Sequence, residues 1–251
     1  MAHKTYVFIS DGGIQEEVSQ GVGRIAGHLG LSNMIMFYDS NNIQLSTKVD
    51  EVSTEDIVAK YEAWGWNVIS IDGNDAAEIR QALNRAIAET EKPTLIVGHT
   101  LMGKGAVGKE GEDFSNKVST HGQPLSAAGG DTAKTIANLG GDPEKPFQIF
   151  KDVEELYARR REELKKWYAL RKEEESIWRA ANKELAAKLD QFLSGKAPDI
   201  DYAKINCGDN VATRAASAAV LSYLAEHVEN MIVASADLSN SDKTDGFLKK
   251  T

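Results

Sequence analysis

The chain is 251 residues long with 41% apolar and 27% charged residues, a composition that fits one large or two small globular domains. A net charge of -9, with bases interleaved among acids, argues against a nucleic-acid or anionic-membrane surface. A single cysteine, Cys207, excludes an intramolecular disulfide framework and a cysteine-based metal cluster, and is most simply a buried or half-buried small side chain. No apolar run approaches the roughly 20 residues of a membrane helix, and the opening "MAHKTYVFIS" is too short and polar for a signal peptide. A cytoplasmic protein is expected.

Four apolar, β-branched runs predict buried strands: "TYVFIS" (5–10), "NMIMFYD" (33–39), "NVISID" (67–72) and "PTLIVGH" (93–99). Between them, residues 15–30, 53–65 and 75–90 carry apolar side chains at helical spacing, with Ser53 or Thr54 and Asp75 as N-caps. This βαβα alternation predicts an α/β fold: a parallel sheet with helices on both faces. From residue 101 to 146 the pattern gives way to a Gly-rich polar stretch, longer than compact domains usually leave as loop. A charged segment without Pro or Gly follows up to Gly195 and reads as one long helix or a helical pair whose charges form a solvated face. "GKAPDIDYAKINCGDN" (195–210) punctuates the chain as a linker. A small-residue helix (212–228) and a buried strand, "NMIVASADLSN" (230–240), then predict the opening of a second, incomplete α/β domain.

In parallel α/β sheets, ligands sit beyond the carboxyl ends of the strands. The first predicted strand ends at Asp11-Gly12-Gly13 and the second at Asp39, Asn41 and Asn42. If those strands are neighbours, Asp11 and Asn41 come together. A carboxylate, an amide oxygen and a main-chain carbonyl suit Mg²⁺ or Ca²⁺ bound with phosphate oxygens. Taken alone, the same residues are more often a turn and a loop cap than a metal site.

The landmarks in chain order are Ser10-Asp11-Gly12 followed by Asn41, then "RIAGHLGL", "MIMFYDSNNIQ", "EAWGWNV", "IDGNDAAEIRQAL", "PTLIVGHTLMGKG", "STHGQPL", "ATRAAS" and "ASADLSNS". Together they cover nearly the whole chain, and in this order they resemble transketolase among the thiamin diphosphate enzymes. The resemblance implies a thiamin diphosphate-binding fold divided as a diphosphate-binding domain (1–150), a helical linker (151–206) and the start of a pyrimidine-binding domain (207–251). It implies Mg²⁺ or Ca²⁺ held by Asp11, Asn41 and the main-chain oxygen of Ile43, with Gly12 letting the backbone meet the cofactor diphosphate. His121 matches a histidine near that diphosphate and the substrate, and Asp237 a residue that contacts the cofactor. Arg214 and Ser241 match positions that hold the substrate phosphate, a pairing of guanidinium and hydroxyl well suited to that task. Glu16 matches an acid at the subunit interface of a homodimer.

Two residues depart from the family pattern. Ser10 stands where the fingerprint has glycine, and Gly21 stands where the next acid of the interface chain would fall. The implied activity is transfer of a two-carbon ketol unit from a ketose phosphate to an aldose phosphate in the pentose phosphate pathway. Sugar phosphates are thus the expected partners, with neither nucleic acid nor membrane. Dihydroxyacetone synthase, deoxyxylulose phosphate synthase and a non-catalytic interaction protein on a degenerate domain are the alternatives. The resemblance also implies that family segments precede Met1 and follow Thr251, among them the glutamate that activates the cofactor, so the 251 residues alone are expected to show negligible ketol transfer.

Overall fold

The computed structural model describes residues 3–251, and the chain divides into two compact units, Met1–Phe150 and Lys151–Thr251. In the first unit, strands β1 (Thr5–Ser10), β2 (Met34–Ser40), β3 (Asn67–Asp72) and β4 (Thr94–His99) form one parallel sheet in the order β1-β2-β4-β3. The expected α/β architecture is therefore present.

Strand alternation sends successive side chains to opposite faces, and each face is packed differently. Met36, Tyr38, Leu95 and Val97 point to one side. They bury there with Ile14 of α1 (Asp11–Gln15), Ala26 of α2 (Glu17–His28) and Tyr61 of α3 (Ile57–Ala63). Ile35, Ile69 and Ile96 point to the other side, against Ala82 and Ala86 of α4 (Ala76–Ala88). Helix α4 does not extend over β1: Phe8 stacks on Phe37 with ring centroids 5.1 Å apart yet remains 80% exposed.

Local chemistry explains the helix boundaries. Asp75 caps α4 by accepting from the Ala77 and Glu78 amides, as expected. The cap of α3 is Asp56, which accepts from Ala59 N–H at 3.0 Å, in place of the expected Ser53 or Thr54. The helix expected over 15–30 is α2, which begins at Glu17 because the backbone at Glu16 is extended (φ -65°, ψ 134°); the short α1 precedes it over the strand-end residues, where no helix was expected. Helix α2 then lies close on the "EAWGW" turn through two glycines four residues apart, hence on one helix face. Trp66 Nε1–H donates to the Gly23 carbonyl at 2.8 Å, and a Cβ at Gly27 would stand 1.9 Å from the Trp64 carbonyl oxygen.

The Gly-rich stretch after β4 is more ordered than its composition suggests. It holds α5 (Leu125–Ala128) and α6 (Thr132–Asn138), tied back by Thr135 Oγ1, which accepts from Val107 N–H at 2.9 Å.

The second unit is helical among its described residues: α7 (Lys151–Ala181), α8 (Lys183–Leu193), α9 (Thr213–His227), α10 (Ser239–Asp242) and α11 (Asp245–Leu248). The charged segment is thus a helical pair broken at Asn182. Ion pairs at i,i+3 and i,i+4 spacing, such as Arg171–Glu174 and Arg179–Glu175, line α7, and Arg179 also reaches Asp190 of α8 at 2.8 Å. Exposed pairs of this kind contribute little individually, because water and salt screen them.

The strand expected over 230–240 is absent. Residues 231–235 run without regular structure and Ile232 is 94% exposed, because a strand needs a neighbour for its amides and this unit contains no other strand among its described residues. No helix among the described residues is long and apolar enough to cross a membrane.

The close approach of α2 yields a direct test. Gly27→Ala must displace the Trp64 backbone, so it should lower the unfolding free energy by about 1–3 kcal/mol. Gly21→Ala, in the same helix with no atom within 4 Å of the new Cβ, should raise it by about 0.5–1 kcal/mol. Urea unfolding of both variants checks this, and equal effects would contradict the packing described.

Candidate functional site

Register brings the candidate residues together. β1 pairs with β2 so that Ser10 lies opposite Asp39, and the chain therefore leaves both strands at the same level. Asp11 opens α1 with its side chain buried, 2% exposed. Its Oδ1 accepts from the Tyr38 hydroxyl at 2.6 Å and its Oδ2 from Asn41 N–H at 3.1 Å. Asn41 Oδ1 in turn accepts from Ile43 N–H at 3.0 Å. A carboxylate, an amide oxygen and the main chain of Ile43 are thus linked hydrogen bond to hydrogen bond.

The two asparagines have separate tasks. Asn42 takes the left-handed conformation (φ 62°) that asparagine tolerates, and its side chain both accepts from Asp50 N–H and donates to Asp50 Oδ2. That turn folds the following loop back on itself, and Gln44 N–H donates to the Thr47 carbonyl at 3.0 Å. Gln15 Nε2 bonds both the Asp11 carbonyl (3.0 Å) and Gln44 Oε1 (3.1 Å), tying α1 to this loop. On the other side of β2, Asp39 accepts from the Thr100 hydroxyl beyond β4.

Burial is the main reason the Tyr38 phenol titrates above its ordinary range, with its bond to Asp11 adding to it. It remains protonated and donates. Tyr61, buried without a partner for its hydroxyl, is pushed up to about 12 by burial alone.

The remaining candidates fall into two places. Gly12 is exposed, and a Cβ there would meet nothing within 4 Å, so open space lies over the backbone beside Asp11. Ser10, at the fingerprint's glycine, caps α1 by accepting from Gly13 N–H at 3.4 Å. Glu16 is exposed at the break between α1 and α2. His121 follows a short turn, and its Nδ1 is buried with no hydrogen-bond partner among the described residues. The adjoining Gly122 (φ 73°) passes so close to the Asn41 loop that a Cβ would stand 2.9 Å from Leu45 Cδ1. In the second unit, Arg214 Nη1 donates to the Ser241 carbonyl at 3.4 Å, and Asp237 is exposed with a left-handed backbone (φ 62°).

A cleft of about 420 Å³ runs along the α4 side of the sheet, lined by Phe8, Ile35, Phe37, Ile79 and Leu83, and reaches the strand ends at Asp39, Asn41, Asn74 and Thr100; Asp11 does not line it. Tyr38 and Gln15 went unmarked as site residues in the sequence. Strand period is the signal that finds Tyr38, since it lies two residues before Ser40 on the face where α1 begins.

These features define an open parallel α/β protein with a buried acid and an amide converging at adjacent strand ends, the place where such folds bind ligands. Residues 1–198 match the family described as "Transketolase, thiamine diphosphate binding domain", and the chain belongs to that family.

Among relatives, it is 38% identical over 251 residues to "Transketolase 2" of Xanthobacter flavus. It covers 96% of this chain but 35% of that protein. Among solved structures, transketolase from Leishmania mexicana superposes with a TM-score of 0.82 at 30% identity, over 96% of this chain and 35% of that one. Pichia stipitis transketolase in complex with sedoheptulose-7-phosphate gives 0.81 at 32%, with the same coverage. The chain thus spans about a third of the length of these relatives.

The Asn41 link predicts a measurable cost without any ligand. Asn41→Ala leaves the Ile43 amide without its acceptor and should lower the unfolding free energy by about 1–2 kcal/mol. Urea denaturation reads this, and an unchanged midpoint would mean that the loop does not depend on that bond.

Proposed function

We propose that this chain supplies the diphosphate-and-metal half of a thiamin diphosphate site in a transketolase. The reaction is transfer of a two-carbon ketol unit from a ketose phosphate to an aldose phosphate, in the cytoplasm and within the pentose phosphate pathway. The observation that supports it most is the convergence of Asp11, Asn41 and Ile43 at the ends of two neighbouring parallel strands.

The donor set fits a hard divalent cation. Mg²⁺ takes six oxygens, usually one or two from carboxylates and the rest from phosphate and water, and Ca²⁺ accepts a similar set. In this reading Asp11, Asn41 and the Ile43 main-chain oxygen hold the ion. Gly12, with open space over its backbone, lets the diphosphate approach. Thiamin diphosphate, when bound, supplies the electron sink for carbon–carbon cleavage.

The chain's own residues bind and orient. His121 contacts the cofactor diphosphate and the substrate, a reading supported by its buried Nδ1, which has no hydrogen-bond partner among the described residues. Asp237 contacts the cofactor, while Arg214, already beside Ser241, takes the substrate phosphate with it. Glu16 lies at the interface of a homodimer. Residues 1–150 form the diphosphate-binding domain, 151–206 the linker and 207–251 the start of the pyrimidine-binding domain.

Calorimetry with thiamin diphosphate tests the site. Binding should require Mg²⁺ and should weaken by about 100-fold or more, near 3 kcal/mol, in Asp11→Ala. Equal binding by both forms would remove Asp11 from the ligand set, and absence of binding to the unaltered protein with Mg²⁺ would overturn the reading.

A further inference from the structure

Tyr38 donates to the candidate ligand carboxylate from inside the core. It is 4% exposed, on the β2 face that packs against Ile14, Trp66 and Val97, so its ring is held by close-packed neighbours. From that position its hydroxyl reaches Asp11 Oδ1 at 2.6 Å, at the short end of the O–H···O range and as expected for a bond to a carboxylate. The second hold on Asp11 comes from outside the core, where Asn41 N–H meets Oδ2 at 3.1 Å.

Two donors on two different oxygens leave the carboxylate plane no freedom to rotate. Each oxygen still has lone-pair capacity for a cation, since an ionised carboxylate offers about four acceptor sites. A free Asp side chain would have to be ordered on each binding event; here the order is built into the sheet.

We propose that Tyr38 is the positioning residue of this site: its hydroxyl sets the Asp11 carboxylate in the orientation from which it meets a divalent cation. This rests on the reading of Asp11 as a ligand. Partners that orient metal ligands typically affect affinity by about 10–100-fold. The neutral phenol contributes no charge to the site, so its whole effect comes through Asp11.

The same core contains a control. Tyr61 is also fully buried, and its hydroxyl bonds to nothing among the described residues. Removing it subtracts the same atom from the same apolar cluster without touching Asp11.

The experiment is a Mn²⁺ titration at fixed thiamin diphosphate, followed by electron paramagnetic resonance, on the unaltered protein, Tyr38→Phe, Tyr61→Phe and Asp11→Ala. Tyr38→Phe should bind Mn²⁺ about 10–100-fold more weakly, with Tyr61→Phe unchanged. Unchanged Mn²⁺ affinity in Tyr38→Phe, or an equal loss in Tyr61→Phe, overturns the role of Tyr38 and leaves Asp11 as a ligand. Absence of Mn²⁺ binding to the unaltered protein, or equal binding by Asp11→Ala, overturns the ligand reading and Tyr38 with it. Should Tyr38→Phe not fold, the Mn²⁺ complex of the unaltered protein decides. The Tyr38 hydroxyl staying within hydrogen-bond distance of Asp11 supports the proposal, and Asp11 swinging off it to reach the ion overturns it.

Discussion

The parallel, in-register pairing of β1 with β2 is the constraint on which the rest depends. Because Ser10 faces Asp39, the chain leaves both strands at one level, and the Asp11 carboxylate meets the main-chain N–H of Asn41, 30 positions away in sequence, through a 3.1 Å hydrogen bond. A slip of one residue would exchange the faces of every side chain in β2. Tyr38 would then point toward α4, and Asp11 would lose its buried donor. The apolar packing of Met36 and Tyr38 on one face, and of Ile35 on the other, prevents that slip. Core packing and site geometry are in this sense one requirement.

Burying Asp11 has an energetic cost that the local structure offsets. An isolated carboxylate removed from water loses many kcal/mol of hydration, and it is tolerated in the interior only when hydrogen-bonded or paired with a cation. Tyr38 and the Asn41 amide provide two charge-assisted bonds from neutral donors, which satisfy the carboxylate without neutralising it. Beside Asp11 lies a glycine whose backbone is uncovered. Ser10 adds a local feature: its hydroxyl engages the Gly13 amide that a glycine in its place would leave free.

Legibility followed the range of the interactions involved. The four strands could be read from the sequence because each is a short run of β-branched and aromatic residues bounded by polar ones. Asp75 was readable as a cap because capping is local. The short helix α1 over residues 11–15 was not, since Asp-Gly-Gly after a strand reads as a turn. Residues 230–240 have a strand's composition, but a strand is completed by its neighbour, and the second unit offers none among its described residues. Asp11 and Asn41 were legible as strand-end residues. The link from Tyr38 was not, because it depends on which strands adjoin and in what register. The family pattern carried His121, Arg214, Ser241 and Asp237, whose types alone specify no chemistry.

In the proposed site, Asp11, Asn41 and the Ile43 carbonyl share one divalent cation. Anomalous diffraction at the manganese edge, from crystals grown with Mn²⁺ and thiamin diphosphate, tests it most directly. One strong peak is expected within about 2.0–2.4 Å of Asp11, Asn41 and Ile43 oxygens, with the diphosphate completing the shell. A peak coordinated by other residues, or cofactor bound with no metal at these three, would contradict it.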